Sequence, residues 1–222
     1  MPTLFRIFTH REHAERLIAG DVRFGHLDYY RRLELDNRAG RGDASEGRAH
    51  FEEYRAERTA VRITGRRAEE IASPGIVTVR SELGNDIWIC SCAAPPDETA
   101  TNRIRDELGG FMVEIEDSEK FVQEIRAALK PNDPWQRGAC VMAWPVEYTK
   151  GEQLAPRSHD ERLRLAVVQK PRVYEYQCEF RIALISYGSK EFDGAPPDFL
   201  TVRLGHPIEY ARIVSVPRLA IP

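Results

Sequence analysis

Glu179 stands in the run Tyr174-Glu175-Tyr176-Gln177-Cys178-Glu179-Phe180-Arg181-Ile182-Ala183-Leu184, which otherwise has the composition of a strand feeding a core. A carboxylate in such a run must be paired or used, because burying an uncompensated charge is costly. Read as a strand, the segment places Glu175, Gln177, Glu179 and Arg181 on one side and Tyr176, Cys178, Phe180 and Ile182 on the other. The polar side either faces solvent or lines a cleft. A second chemically dense region lies upstream, where His26, Tyr29, Tyr30, Arg31 and Arg32 follow a strand end closely. Aromatic rings stack on planar bases or nicotinamide, and guanidinium groups hold phosphates. Arg6 interrupts the apolar run Leu4-Phe5-Arg6-Ile7-Phe8, either as an edge residue or as an arginine at a strand tip that clamps a phosphate or pyrophosphate. Asp43 and Glu46 sit in a Gly-flanked acidic loop beside Arg38 and Arg41. They read as an ordinary solvated loop, as substrate-orienting groups, or as metal ligands if further carboxylates converge.

The elements that must position these groups follow from local pattern. Leu4 to Phe8 reads as a strand, and Thr9 with Glu12 as a capping box opening a helix that Gly20 stops. Val22 to Phe24 resumes as a strand, and Asp36 to Gly47 reads as a loop. Alternation in Arg48 to Tyr54 and Thr59 to Thr64 suggests a hairpin. Asp86 to Cys92 is the most core-like strand of the first half. Helices are expected from Pro95 to Leu108 and from Ser118 to Leu129, the second with Phe121, Val122, Ile125, Ala128 and Leu129 on one face. A short helix from Asp160 to Leu165 and strands at Phe111 to Ile115, Ala139 to Tyr148, Phe199 to Leu204 and Tyr210 to Val216 complete the pattern. Many strands with a few interspersed helices give an α+β fold, one domain over residues 1–222, with a mainly antiparallel or mixed sheet.

Composition narrows the function classes. The net charge of −3 argues against a blanket polyanion binder, although arginine predominates over lysine. The first residues lack the basic-then-apolar pattern of a secretory leader, and no run approaches a membrane helix, so the expectation is a cytoplasmic protein. Cys90, Cys92, Cys140 and Cys178 read as buried reduced thiols, without zinc-ligand spacing. Nucleophile-elbow, P-loop and dinucleotide glycine fingerprints are absent.

The order of motifs resembles a bacterial family described only as a domain of unknown function. The motifs that carry the likeness are Phe5-Arg6, Val22-Arg23-Phe24, Asp43 to Gly47, Cys90-Ser91, Gly110-Phe111 to Glu114, and Lys170-Pro171 to Ile182 with its Glu-Phe-Arg-Ile stretch. A looser likeness is to ADP-ribosyltransferases, including DarT-like toxins, through Arg6, the helix ending at Gly20, and Gln177-Cys178-Glu179. The chain departs from that pattern in having no clear Ser-Thr-Ser motif and no Glu-x-Glu pair. The second resemblance implies an ADP-ribosyltransferase-like fold and an enzyme, a toxin or anti-phage effector, that consumes NAD without a metal. It implies Glu179 as catalytic carboxylate, Arg6, His26, Tyr29, Tyr30 and Arg31 as the NAD-binding set, and Asp43, Glu46 and Arg181 as substrate-orienting groups. The acceptor would be protein, DNA or RNA. On that reading Glu179→Gln should keep the fold and abolish turnover. Two alternatives remain open at this level: a Mg²⁺-dependent nuclease or phosphodiesterase using Asp43, Glu46 and Glu179, and a non-catalytic nucleotide-binding module.

Overall fold

The computed structural model describes residues 1–35, 48–56, 59–60, 70–71, 75–82, 86–95, 97–108, 110–149, 158–186 and 195–214. Along these the chain forms β1 (Leu4–Phe8), α1 (Arg11–Ile18), β2 (Asp21–His26), α2 (Leu27–Leu35), β3 (Arg48–Ala56), β4 (Thr59–Ala60), β5 (Glu70–Ile71), β6 (Gly75–Glu82) and β7 (Asp86–Ala93). There follow α3 (Glu98–Leu108), β8 (Phe111–Ile115), α4 (Ser118–Ala127), β9 (Cys140–Pro145), β10 (Glu147–Thr149), α5 (His159–Val168) and β11 (Gln169–Pro171). A 3₁₀ helix (Arg172–Gln177), β12 (Glu179–Ser186), β13 (Phe199–Arg203) and β14 (Ala211–Val214) close the series. The fold is α+β, with an eight-stranded sheet ordered β13-β2-β7-β1-β8-β14 and with β12 inserted between β7 and β9.

Every pairing given for this sheet is antiparallel. Along β7, successive side chains alternate between two apolar layers. Trp88, Cys90 and Cys92 face one cluster with Phe24, Phe121, Phe180 and Ile182, covered by α1 and α4. Ile87 and Ile89 face a smaller cluster with Ala183, Ile185 and the α5 residues Leu163, Val167 and Val168. β12 is buried along its whole length because it has a strand on each side and packed layers on both faces.

On the other edge of β7 the sheet forks. β1 meets β7 only at Phe5↔Ala93, whereas β2 meets it at Gly25↔Ile89 and His26↔Trp88. Between these two contacts, Cys90, Ser91 and Cys92 have β12 as their strand neighbour and no partner on the fork side among the described residues.

Several local expectations change. Helix α1 is capped at His10 without a side-chain hydrogen bond, so Thr9 does not form the cap. Gly20 does terminate it, at φ 96°, where a Cβ would lie 2.2 Å from the His206 carbonyl oxygen. Among the described residues, β3 pairs with β6 and β4 with β5, and no pairing joins 48–54 to 59–60; the rest of the expected hairpin, 61–64, lies outside the described residues. α5 spans His159–Val168, longer than the short helix expected from Asp160 to Leu165. Tyr174 to Gln177, read as strand, belong to a 3₁₀ helix (Arg172–Gln177) that ends in left-handed Cys178 (φ 43°, ψ 45°). The alternation that placed Glu175 and Gln177 on the Glu179 face therefore begins only at Glu179. The loop expected at Asp36 to Gly47 lies outside the described residues. Among the described residues, no helix is long and apolar enough to cross a membrane.

Candidate functional site

The fork opens into a cleft of about 670 Å³. Register explains what enters it. Glu179 and Phe5 both pair with Ala93, on opposite sides of β7, so their Cα atoms lie about two strand spacings apart, roughly 10 Å. Arg181 pairs with Ser91 on the same face. Arg6, the next residue of β1, reaches into the fork. Its Nη1 donates to Cys90 Sγ at 2.9 Å and its Nη2 to the Arg23 carbonyl at 2.6 Å, which ties β1 to β2 where they diverge. Arg6 forms no ion pair with a carboxylate among the described residues.

Glu179 is 8% exposed and sits at the centre of a three-charge cluster. Arg181 Nε donates to Oε1 at 2.8 Å, while Lys170 Nζ and Arg181 Nη2 donate to Oε2 at 2.9 and 3.3 Å. Lys170 also donates to Gln177 Oε1 at 2.7 Å, and Arg181 Nη1 to the Val167 carbonyl at the end of α5. The backbone of Glu179 is fixed as well: its N–H donates to the Tyr148 hydroxyl at 2.7 Å and its carbonyl accepts from Val146 N–H at 2.8 Å. Burial opposes the charged carboxylate, but Arg181 and Lys170 outweigh it and hold the group well below the usual carboxylate range. The left-handed turn at Cys178 delivers Glu179 to the first position of β12, where the face changes from apolar to charged.

The opposite wall is aromatic. The Tyr30 ring lies flat against β2 because position 25 is glycine; a Cβ there would stand 2.7 Å from the Tyr30 hydroxyl. Tyr29 contacts Tyr30 edge-on at 5.6 Å and Phe199 at 4.4 Å between centroids. The Arg23 guanidinium sits 3.5 Å over the Phe199 ring, and an Arg32–Asp198 ion pair holds α2 to the segment before β13. Among the described residues, five cationic side chains line the cleft, Arg6, Arg16, Arg23, Lys170 and Arg181, against the two carboxylates Asp21 and Glu179. A chain of net charge −3 thus concentrates positive charge at one place.

Of the residues singled out in the sequence, Arg6, Tyr29, Tyr30, Glu179 and Arg181 come together here. His26 is buried and does not line the cleft; its Nδ1 accepts from Asp28 N–H at 3.2 Å, its Nε2 lies 3.5 Å from Asp86, and its ring packs on Trp88. It secures the β2–α2 junction. The Arg31 side chain, Asp43 and Glu46 lie outside the described residues. Sequence reasoning missed Lys170, Gln177, Arg23 and Phe199. Lys170 had a signal: a buried Glu needs a cation, and the Lys-Pro pair precedes Glu179 closely. The expectation that Glu179→Gln leaves the fold intact is at odds with this geometry, since the carboxylate pairs with two buried cations.

No family model matches the chain, and neither a curated protein nor a solved structure shows significant similarity to it.

Proposed function

We propose that the forked cleft binds a phosphorylated nucleotide, NAD in particular, and that the chain is an ADP-ribosyltransferase-like enzyme. The observation that carries this reading is the meeting of Arg6, the aromatic wall and an ionised Glu179 in one cleft. Its size falls within the range of about 300–1,000 Å³ usual for ligand pockets. Arg6, which pairs with no carboxylate among the described residues, binds the diphosphate. Tyr29 and Tyr30 take a planar ring, with Phe199 and Arg23 extending the surface. Glu179 lies ionised beside the ribose. In the transfer, the glycosidic bond to nicotinamide breaks, nicotinamide leaves with the electron pair, and an acceptor nucleophile bonds to the anomeric carbon. A fixed carboxylate stabilises the positive charge that develops on the sugar.

One specific observation favours a second reading, nucleotide binding without turnover. Both Glu179 oxygens are engaged by Lys170 and Arg181, and the cluster as a whole carries a net positive charge. Such a cluster holds an anion better than it stabilises a cation. The same contacts weigh against a Mg²⁺ site at Glu179, because two cations would have to give way to a third.

Calorimetric titration of the chain with NAD and with adenosine separates these readings from no function at this cleft. Binding of NAD but not adenosine supports a phosphate-reading site, and Arg6→Gln should weaken it by about 10- to 150-fold, the worth of a charged hydrogen bond at roughly 1.5–3 kcal/mol. Equal binding by wild type and Arg6→Gln would remove the proposal. Release of nicotinamide then distinguishes enzyme from binding module.

A further inference from the structure

The cations of the cleft differ in how many of their donors the protein itself uses. Lys170 and Arg181 spend donors on Glu179, and Arg6 spends one N–H on Cys90 and one on the Arg23 carbonyl. The Arg23 side chain is exposed, lines the cleft, and makes no hydrogen bond or ion pair among the described residues. Arg16 is likewise unpaired among them, but no ring holds its side chain in place there. Arg23 is held, because its guanidinium carbon stands 3.5 Å from the centroid of the half-buried Phe199 ring. We propose that Arg23, stacked on Phe199, is a second anion-binding arginine of the cleft and grips the ligand's diphosphate beside Arg6.

Strand geometry builds this arrangement. Asp21, Arg23 and Gly25 share one face of β2. β13 runs antiparallel beside it, with Thr201 straight across from Arg23 and Phe199 across from Gly25. Arg23 therefore meets Phe199 on the diagonal, a separation that a long side chain spans. Tyr29 of α2 packs edge-on against the same ring, which fixes Phe199 in turn. Asp21, the carboxylate on the strand and face of Arg23, lies opposite Arg203 and pairs with it at 3.7 Å, so it does not neutralise Arg23.

A guanidinium carbon at van der Waals distance from a ring centroid lies face-on to that ring. The ring then takes the face of the cation and leaves its edge, with the in-plane N–H groups, to the cleft. Those donors form a planar fork that matches two phosphate oxygens. A fork already held in its plane also loses less side-chain freedom on binding. Arg6 is tied to the Arg23 carbonyl, so the two arginines stand at the same point of the β2 limb. A diphosphate has anionic oxygens on both phosphorus atoms, enough for an arginine on each. Thr201 also lines the cleft and adds a hydroxyl donor beside Arg23. Phe199 does not touch the anion; it positions the arginine that does. The inference rests on the proposed reading of the cleft only in making the anion part of a nucleotide.

The test is calorimetric titration of the 222-residue chain with inorganic pyrophosphate, which carries the anion without base or sugar. Arg23→Gln should weaken binding by about tenfold, and Phe199→Leu by about threefold. In the double variant Phe199→Leu should add nothing to the loss from Arg23→Gln, since it acts only through that side chain. Arg212→Gln removes the same charge from β14, outside the cleft, and should stay within about twofold of wild type. Pyrophosphate that does not bind wild type, or that binds Arg23→Gln within about twofold of it, overturns the proposal. Weaker NAD binding by that variant would then assign Arg23 to the base instead. A Phe199→Leu loss that persists undiminished in the double variant overturns the positioning role. Should Phe199→Leu fail to fold, the Arg23→Gln and Arg212→Gln titrations decide. Pyrophosphate binding that depends on Arg23, in a chain that does not bind NAD, would sink the NAD reading and leave this inference standing.

Discussion

Replacing Glu179 by Gln should cost the fold far more than one lost hydrogen bond. The carboxylate touches Lys170 Nζ at 2.9 Å and Arg181 Nε at 2.8 Å, and all three side chains are at most 9% exposed. At an effective dielectric of about 20, each contact contributes a gross attraction of roughly 6 kcal/mol. Desolvation of the three ions offsets most of it, so the net worth of the cluster is small. Removing only the central charge is a different matter, because two buried cations then repel with nothing between them. The expected loss is about 3–5 kcal/mol. For a chain of this size, about 2–4 °C per kcal/mol translates that into a melting temperature lower by roughly 6–20 °C. Thermal denaturation followed by circular dichroism reads this directly. The companion variant carries Lys170→Met, Glu179→Leu and Arg181→Met together, leaving an apolar cluster of similar volume. It removes the repulsion but leaves two acceptors without their donors, the Gln177 side chain and the Val167 carbonyl, at about 1–3 kcal/mol each, so it should stay below wild type while losing the acid dependence that the Glu179 carboxylate gives. A Glu179→Gln protein melting within about 2 °C of wild type, or a triple variant that keeps the acid dependence, would refute the reasoning.

Other expectations follow from the same geometry. Because the folded Glu179 carboxyl is held below its unfolded value, its stabilisation is complete above about pH 4.3 and is lost as pH falls further; acid titration of stability should show a drop there that the triple variant lacks. Gly20→Ala should destabilise strongly, since its Cβ would lie 2.2 Å from a backbone oxygen at φ 96°, and chemical denaturation would expose an error if the midpoint stayed put. Gly25→Ala should displace the Tyr30 ring, costing about 1–3 kcal/mol and weakening nucleotide binding, with unchanged tyrosine fluorescence as the contrary result. Cys178→Gly should be neutral or stabilising by up to about 1–2 kcal/mol, because glycine accepts the left-handed backbone without the Cβ penalty.

The fold class was legible because long apolar runs with local punctuation, such as Asp86 to Ala93 between turns and Ser118 to Ala127 after Asp117, encode their own structure. Pairing was not. The 48–54 and 59–64 segments alternate well enough for a hairpin, yet β3 finds β6 instead, since alternation sets a strand's faces and not its partner. In the Glu179 region, six residues of 3₁₀ helix carry the same mix of tyrosines and polar groups as an edge strand, and the turn that ends it rests on a cysteine in a conformation usually signalled by glycine. The co-location of Arg6 with Glu179 was expected from motif order alone; its cause, the fork on β7, depends on contacts across most of the chain. The need of Glu179 for a partner was visible, while the identity of that partner required the 3₁₀ turn that folds Lys170 back onto it.

The most direct test of the central claim is release of labelled nicotinamide from NAD by the 222-residue chain, supplied with protein, DNA and RNA as acceptors. The account predicts release above the buffer rate by wild type and its loss in Arg6→Gln protein that still melts as wild type does. No release from a folded wild-type chain under all three acceptors, or equal release by the two proteins, would contradict it.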